Sequence, residues 1–159
     1  MLLISKTILL AALGSWLAIA LRNNLLGFSN SVTTIGDLMA MRSFDQEPVV
    51  STPLTRNRVT SRAWHTAVLS FILVLEAATA LLLLGAAGLH AGALMGLESA
   101  ASKAAGNTAL AAFLALGSVM LIGGTWFGYH VKQAIVQLTH LLMLALGTGA
   151  AVLMNLPTN

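Results

Sequence analysis

The chain has 159 residues, of which 57% are hydrophobic and only 8% charged, against roughly 25% charged in ordinary soluble domains. Its mean hydropathy of +0.86 leaves too little polar surface to coat a water-soluble globule. The net charge of +3 is scattered, with no basic run interleaved with aromatics, so composition argues against a nucleic-acid partner. Cysteine is absent, which excludes disulfides, thiolate metal sites and thiol nucleophiles.

Four nearly charge-free apolar runs follow one another, over residues 2–21, 67–89, 109–127 and 134–156. Each approaches or exceeds the roughly 20 residues a helix needs to cross a hydrocarbon layer about 30 Å thick. Backbone amides find no water in lipid, so runs of this kind must be helical. The predicted fold is all-α: a polytopic membrane protein, one domain over residues 1–159, built as a four-helix transmembrane bundle. A long first loop, residues 22–66, contains a short amphipathic helix.

The first run also has the layout of a signal peptide. Lys6 would be its basic region, residues 7–17 its apolar core, and Ala18-Ile19-Ala20 a cleavage site. Gly14 and Ala18, four apart, suit a packed helix instead, and a retained span is expected.

The long loop holds Arg22, Arg42, Arg56, Arg58 and Arg62 together with Asp37, Asp45 and Glu47. Val32, Ile35, Leu38 and Met39 have near-helical spacing behind Ser29 and Asn30, which are good N-caps. This predicts a short helix over residues 30–42 lying on the membrane surface, then an extended return through Pro48 and Pro53. Thr60 or Ser61 would cap the second span. Met39, Met41 and Phe44 give this segment an apolar side suited to contact with a partner.

The second connection, residues 90–108, is rich in Ala and Gly, with Glu98 and Lys103 as its charges. The third, residues 129–133, is so short that spans three and four must form an antiparallel hairpin. Both termini then share a side with the second connection. Arg22, Arg42, Arg56, Arg58, Arg62 and Lys132 face Lys6 and Lys103 across the bilayer, and the positive-inside rule places the long loop in the cytoplasm. The signal-like start argues for the reverse orientation.

Small-xxx-small spacing recurs at Gly14/Ala18, Ala111/Ala115, Ala145/Gly149 and Gly147/Ala151, with Gly85 and Gly88 adding flat surface to span two. Such pairs serve packing within one bundle or a dimer face. Trp16, Trp64, Trp126 and Tyr129 fall toward the long-loop end of their spans, as an interfacial belt does; stacking on a quinone is the other use of such rings.

Glu76 is the outstanding candidate for chemistry. It sits about 10 residues from either end of its apolar run, where an ionisable group costs several kcal/mol unless protonated, paired or facing a polar cavity. It is expected to face the bundle interior and to bond to His140 of span four or Ser118 of span three, which lie in the same layer. His65, His130 and His140 gather toward the long-loop side, with His90 at the opposite end. His65 with His130 roughly meets the requirement of b-type haem for two imidazoles on different helices at similar depth; interfacial histidines bonded to headgroups or loop carbonyls are the simpler reading. No tight zinc-ligand spacing occurs, and no nucleophile elbow, phosphate loop or dinucleotide fingerprint.

Asn23-Asn24, Asn30, Ala63-Trp64-His65, Glu76, Gly123-Gly124-Thr125-Trp126-Phe127 and Asn155-Leu156-Pro157 together make the chain similar to the bacterial family of predicted small integral membrane proteins, a domain of unknown function. The resemblance covers nearly the whole chain. It implies four spans in a bacterial inner membrane, termini inside, and no established activity. This chain departs from the pattern in two places. The family's basic second loop is reduced to Lys103, and its first-loop His and Met-Asp pair are replaced near Gly36 and Met41.

The leading functional reading is a non-catalytic structural or accessory subunit of a larger membrane assembly, without a cofactor. Its partners would be lipid and other membrane subunits, or further copies of itself. The alternative is a redox anchor holding b-type haem or quinone through His65, His130 or His140. A third reading, a small proton-linked transporter using Glu76, is disfavoured because neither an inverted repeat nor a broken helix is apparent in the sequence.

Overall fold

The computed structural model describes residues 1–97 and 100–157. Its helices are α1 (Leu2–Leu26), α2 (Phe28–Met39), α3 (Arg62–Leu94), α4 (Ala100–Trp126), the single turn α5 (Tyr129–Lys132) and α6 (Ala134–Asn155). Two 3₁₀ turns, Arg42–Asp45 and Pro53–Asn57, lie between α2 and α3. Four helices, α1, α3, α4 and α6, are long and apolar enough to cross a membrane, as the four runs predict.

The first three of these outrun their apolar stretches. At 33 residues, α3 is about 50 Å long, well beyond the hydrocarbon thickness. An apolar run marks where side chains suit lipid, whereas the helix itself continues until its backbone bonding is broken. The second connection therefore shrinks to the residues between Leu94 and Ala100. Gly96 makes its turn at a φ of 87°, a left-handed angle that glycine adopts freely. Glu98 lies outside the described residues.

Lipid gives helices no hydrophobic reason to associate, so close packing rests on small residues. On α1, Gly14 meets Leu83 and Leu84 of α3, and a Cβ there would stand 2.8 Å from Leu84 Cγ. Between α4 and α6, Gly117 meets Met143 and Leu144, while Gly147 meets Phe113 and Leu114, which fixes an antiparallel pair. Leu10, Leu83, Leu110, Phe113, Leu116 and Met154 fill the centre. At one end Lys6 Nζ donates to the Leu156 carbonyl at 2.8 Å, so the termini meet on one side. Asn107 and Asn155 exchange amide hydrogen bonds of 3.2 and 3.0 Å at the same end. Not every small-xxx-small pair packs internally: Ala111, Ala115, Ala145 and Gly149 are exposed.

The first connection differs most from expectation. Helix α1 runs on to Leu26, and α2 begins one residue later, after Gly27. The N-cap of α2 is Gly27, without a side-chain cap bond, while Ser29 and Asn30 lie inside the helix and accept from Thr33 and Thr34 hydroxyls. Nor does α2 lie across the membrane surface. Val32 packs with Leu69 and Leu73, Gly36 abuts His65, and Val59 N–H donates to the Met39 carbonyl at 3.0 Å. Together α1 and α2 form one antiparallel track along α3, interrupted at Gly27. The sequence hides this break because the polar pairs Asn23-Asn24 and Ser29-Asn30 on either side of it read as the end of a span.

Residues 40–61 form a cap over the long-loop end. Lys132 Nζ donates to the carbonyls of Gln46 and Pro48 at 3.2 and 2.6 Å. Asn57 caps the carbonyl of Trp126 at 3.1 Å, and Arg58 pairs with Asp45 at 2.7 Å. Phe44 is 1% exposed and packs over Gly128, whose φ of 66° turns the chain from α4 into α5. Met39 and Met41 are buried as well. These three residues are therefore part of the protein's own core and are not free to meet a partner. Trp16 also departs from the belt: it lies ten residues before the end of α1 and packs on Phe113 with ring centroids 6.3 Å apart. Trp16 stays partly exposed at that depth and Tyr129 is buried, which leaves Trp64 and Trp126 of the four as exposed rings at the long-loop end.

Candidate functional site

Because α1 extends past its apolar run, Asn24 comes level with Glu76 of α3. Its Nδ2 donates to Glu76 Oε2 over a long 3.5 Å, and its Oδ1 accepts from the Ser31 hydroxyl at 3.2 Å. Glu76 is 5% exposed and lies 14 residues, about 21 Å, into α3. It faces inward as expected, but its partner is Asn24 and neither His140 nor Ser118. Ser118 is half-buried on α4. The signal that would have found the true partner is the Asn23-Asn24 pair, whose helical state the apolar run conceals.

Glu76, Asn24, Ser31 and Thr34 line an open niche of about 200 Å³ together with Ile35, Leu69, Ile72 and Met120. Ile35, Ile72 and Met120 also wall a second space of about 400 Å³ between α2, α3, α4 and α6. Phe71, Phe127, Tyr129, Met39 and His140 complete much of that larger cavity. Its surface is mostly apolar, and Phe71 and Val119, on the apolar helices α3 and α4, remain exposed at its edge.

The histidines separate. His65 is buried with Nε2 2.9 Å from the Val59 carbonyl, and its Nδ1 is pressed against Gly36. His130 is exposed on α5. His90 is buried at the far end, with Nδ1 2.9 Å from the Ala86 carbonyl. His140 alone lines the large cavity; its Nδ1 is buried without a hydrogen-bond partner, and Tyr129 is its ring neighbour at 6.4 Å. Among the described residues no group of three His, Asp or Glu side chains is placed to hold a metal ion.

Gln137 supports this region from α6. Its Nε2 donates to Thr125 Oγ1 at 2.9 Å, and its Oε1 is buried without a partner over Gly124. A Cβ at Gly124 would collide with both Gln137 and Tyr129, so the glycine is needed for close approach. Tyr129 lies outside the spans, and burial pushes its phenol up to about 12.

Four long apolar helices, one of them continued past a break into α2, and a mostly apolar cavity beside a buried carboxylate define a small polytopic membrane protein. The chain belongs to the family described as predicted small integral membrane protein (DUF2165), whose model matches residues 2–157. No curated protein and no solved structure gives a match to it.

Proposed function

We propose that the protein is a non-catalytic accessory subunit of a larger membrane assembly in the bacterial inner membrane, docking through its cap. The observation that supports this is the way the cap is held. Lys132, Asn57 and Arg58 tie residues 40–61 to the bundle and to one another, while Glu47, Val49 and Arg56 remain exposed on its outer side. A pre-ordered surface loses little entropy on docking. Photo-crosslinking from position 49 tests the reading. A discrete membrane-protein adduct is expected, and Val49→Glu with Arg56→Glu should abolish it without loss of the folded chain. Absence of any adduct, or adducts unchanged by the double substitution, would count against docking at the cap. A second copy is the other partner considered, and the outward Ala145 and Gly149 favour it.

The redox-anchor alternative divides. Haem ligation by His65 and His130 gains no support, because His65 Nε2 is bonded to the Val59 carbonyl, its Nδ1 lies against Gly36, and His130 is exposed on α5. The quinone version keeps one favourable observation, the unpartnered His140 beside an apolar cavity. An absorption spectrum of the purified protein separates them, since bound b-type haem gives a strong Soret band and quinone does not.

A further inference from the structure

We propose that the niche and the cavity together form one binding site for a lipophilic organic cation. Its charged centre would sit against Glu76 and its apolar body among Phe71, Phe127 and Tyr129. The inference does not use the cap and stands apart from the accessory-subunit reading.

Charge comes first. The ion pairs among the described residues are Arg42–Asp37 and Arg58–Asp45, both away from Glu76. Among the described residues, the hydrogen bond to the Glu76 carboxylate comes from Asn24 and is at the long limit. Arg22 is close in sequence to Asn24, but two residues along a helix is about 200° of rotation, and Arg22 is exposed. A buried carboxylate in these surroundings is costly unless a positive partner or a proton meets it. Asn24 meets it with an amide N–H, and the neutral Ser31 and Thr34 hydroxyls line the same niche, so none of these groups neutralises the carboxylate.

Shape comes second. The niche, at about 200 Å³, offers polar surface but little room, and the adjoining cavity, at about 400 Å³, offers room with little polarity. Of the three residues common to both, Met120 is unbranched and flexible, so it can move aside to join them. The aromatic walls of the cavity attract a cation through their ring faces. Phe71, 55% exposed, and Val119, 40% exposed, border the cavity toward lipid. A lipophilic cation dissolved in the bilayer can therefore enter sideways. An anion of the same shape would be repelled by Glu76, and a neutral quinone would gain nothing from its charge.

The test uses the full chain in lipid nanodiscs, with tetraphenylphosphonium as probe and tetraphenylborate, similar in shape and opposite in charge, as control. Saturable tetraphenylphosphonium binding is expected, with no saturable tetraphenylborate binding. Glu76→Gln should weaken it at least about tenfold, and Glu76→Asp by less than about fivefold. Met120→Trp, which fills the common wall, should weaken it comparably and serves if Glu76→Gln does not fold. The proposal is overturned by absence of saturable binding, by equal affinity for both ions, or by unchanged affinity in Glu76→Gln or Met120→Trp. Displacement of the cation by decylubiquinone with equal potency in wild type and Glu76→Gln overturns it in favour of a quinone site.

Discussion

Lys6 and Leu156, at opposite ends of the chain, are joined by a hydrogen bond of 2.8 Å from the lysine Nζ to the leucine carbonyl. Leu156 is the C-cap residue of α6, where carbonyls lack helical partners and the helix carries partial negative charge. The ammonium answers both, while its stem stays buried along α1. Lys6→Met should therefore free the end of α6 and cost about 1.5–3 kcal/mol, the range for hydrogen bonds to charged groups. Faster amide exchange over residues 153–156, with little change in α4, is the expected signature. Unchanged exchange there would mean that the contact contributes nothing.

His65 and Gly36 lie closer than any side chain permits, since a Cβ at position 36 would stand 2.6 Å from His65 Nδ1. The imidazole cannot retreat without stretching its 2.9 Å bond to Val59. Gly36→Ala is expected to destabilise by about 1–3 kcal/mol through overpacking. Gly88→Ala, where nothing lies within 4 Å, should be neutral or slightly stabilising, because alanine is the better helix former by about 1 kcal/mol. Thermal unfolding of both variants in one detergent gives the comparison. Equal melting temperatures would show that α2 does not depend on this contact.

Tyr129 gives the fold an alkaline limit. Its phenol is pushed from 10.0 up to about 12 by burial, so between those values the folded state holds a proton that the unfolded state has lost. Stability from this group is complete below pH 10 and is lost as pH rises toward 12, by about 3 kcal/mol in all. Melting temperatures measured upward from pH 9 should fall for the wild type. The fall should be shallower for Tyr129→Phe, and parallel curves would exclude this residue as the cause.

Orientation is open to a direct measurement because the chain has no native cysteine. Ser51 is exposed on the cap, and Leu97 is 66% exposed at the opposite end. Single cysteines at these positions should react oppositely with an impermeant thiol reagent applied to intact cells. The arginine-rich cap predicts protection at 51, and termini inside predict protection at 97. Labelling of both would contradict the four-span arrangement.

The sequence by itself determined the membrane class, the number of spans and the hairpin of α4 and α6. These follow from rules that act locally: lipid cannot satisfy backbone amides, and a connection of a few residues permits only antiparallel neighbours. It also marked Glu76 as a residue needing an internal partner, because the cost of a charge in hydrocarbon does not depend on the surrounding fold. Tertiary structure decided which partner, by carrying α1 five residues beyond its apolar run to bring Asn24 level with Glu76. It also decided that α2 packs along α3, that Met41 and Phe44 are core, and that His65 serves its own fold while His140 faces a cavity. Hydropathy reports how a side chain tolerates its solvent. Helix ends, helix faces and pair contacts depend on which other helix occupies the neighbouring space, and that is settled only when all of them pack together.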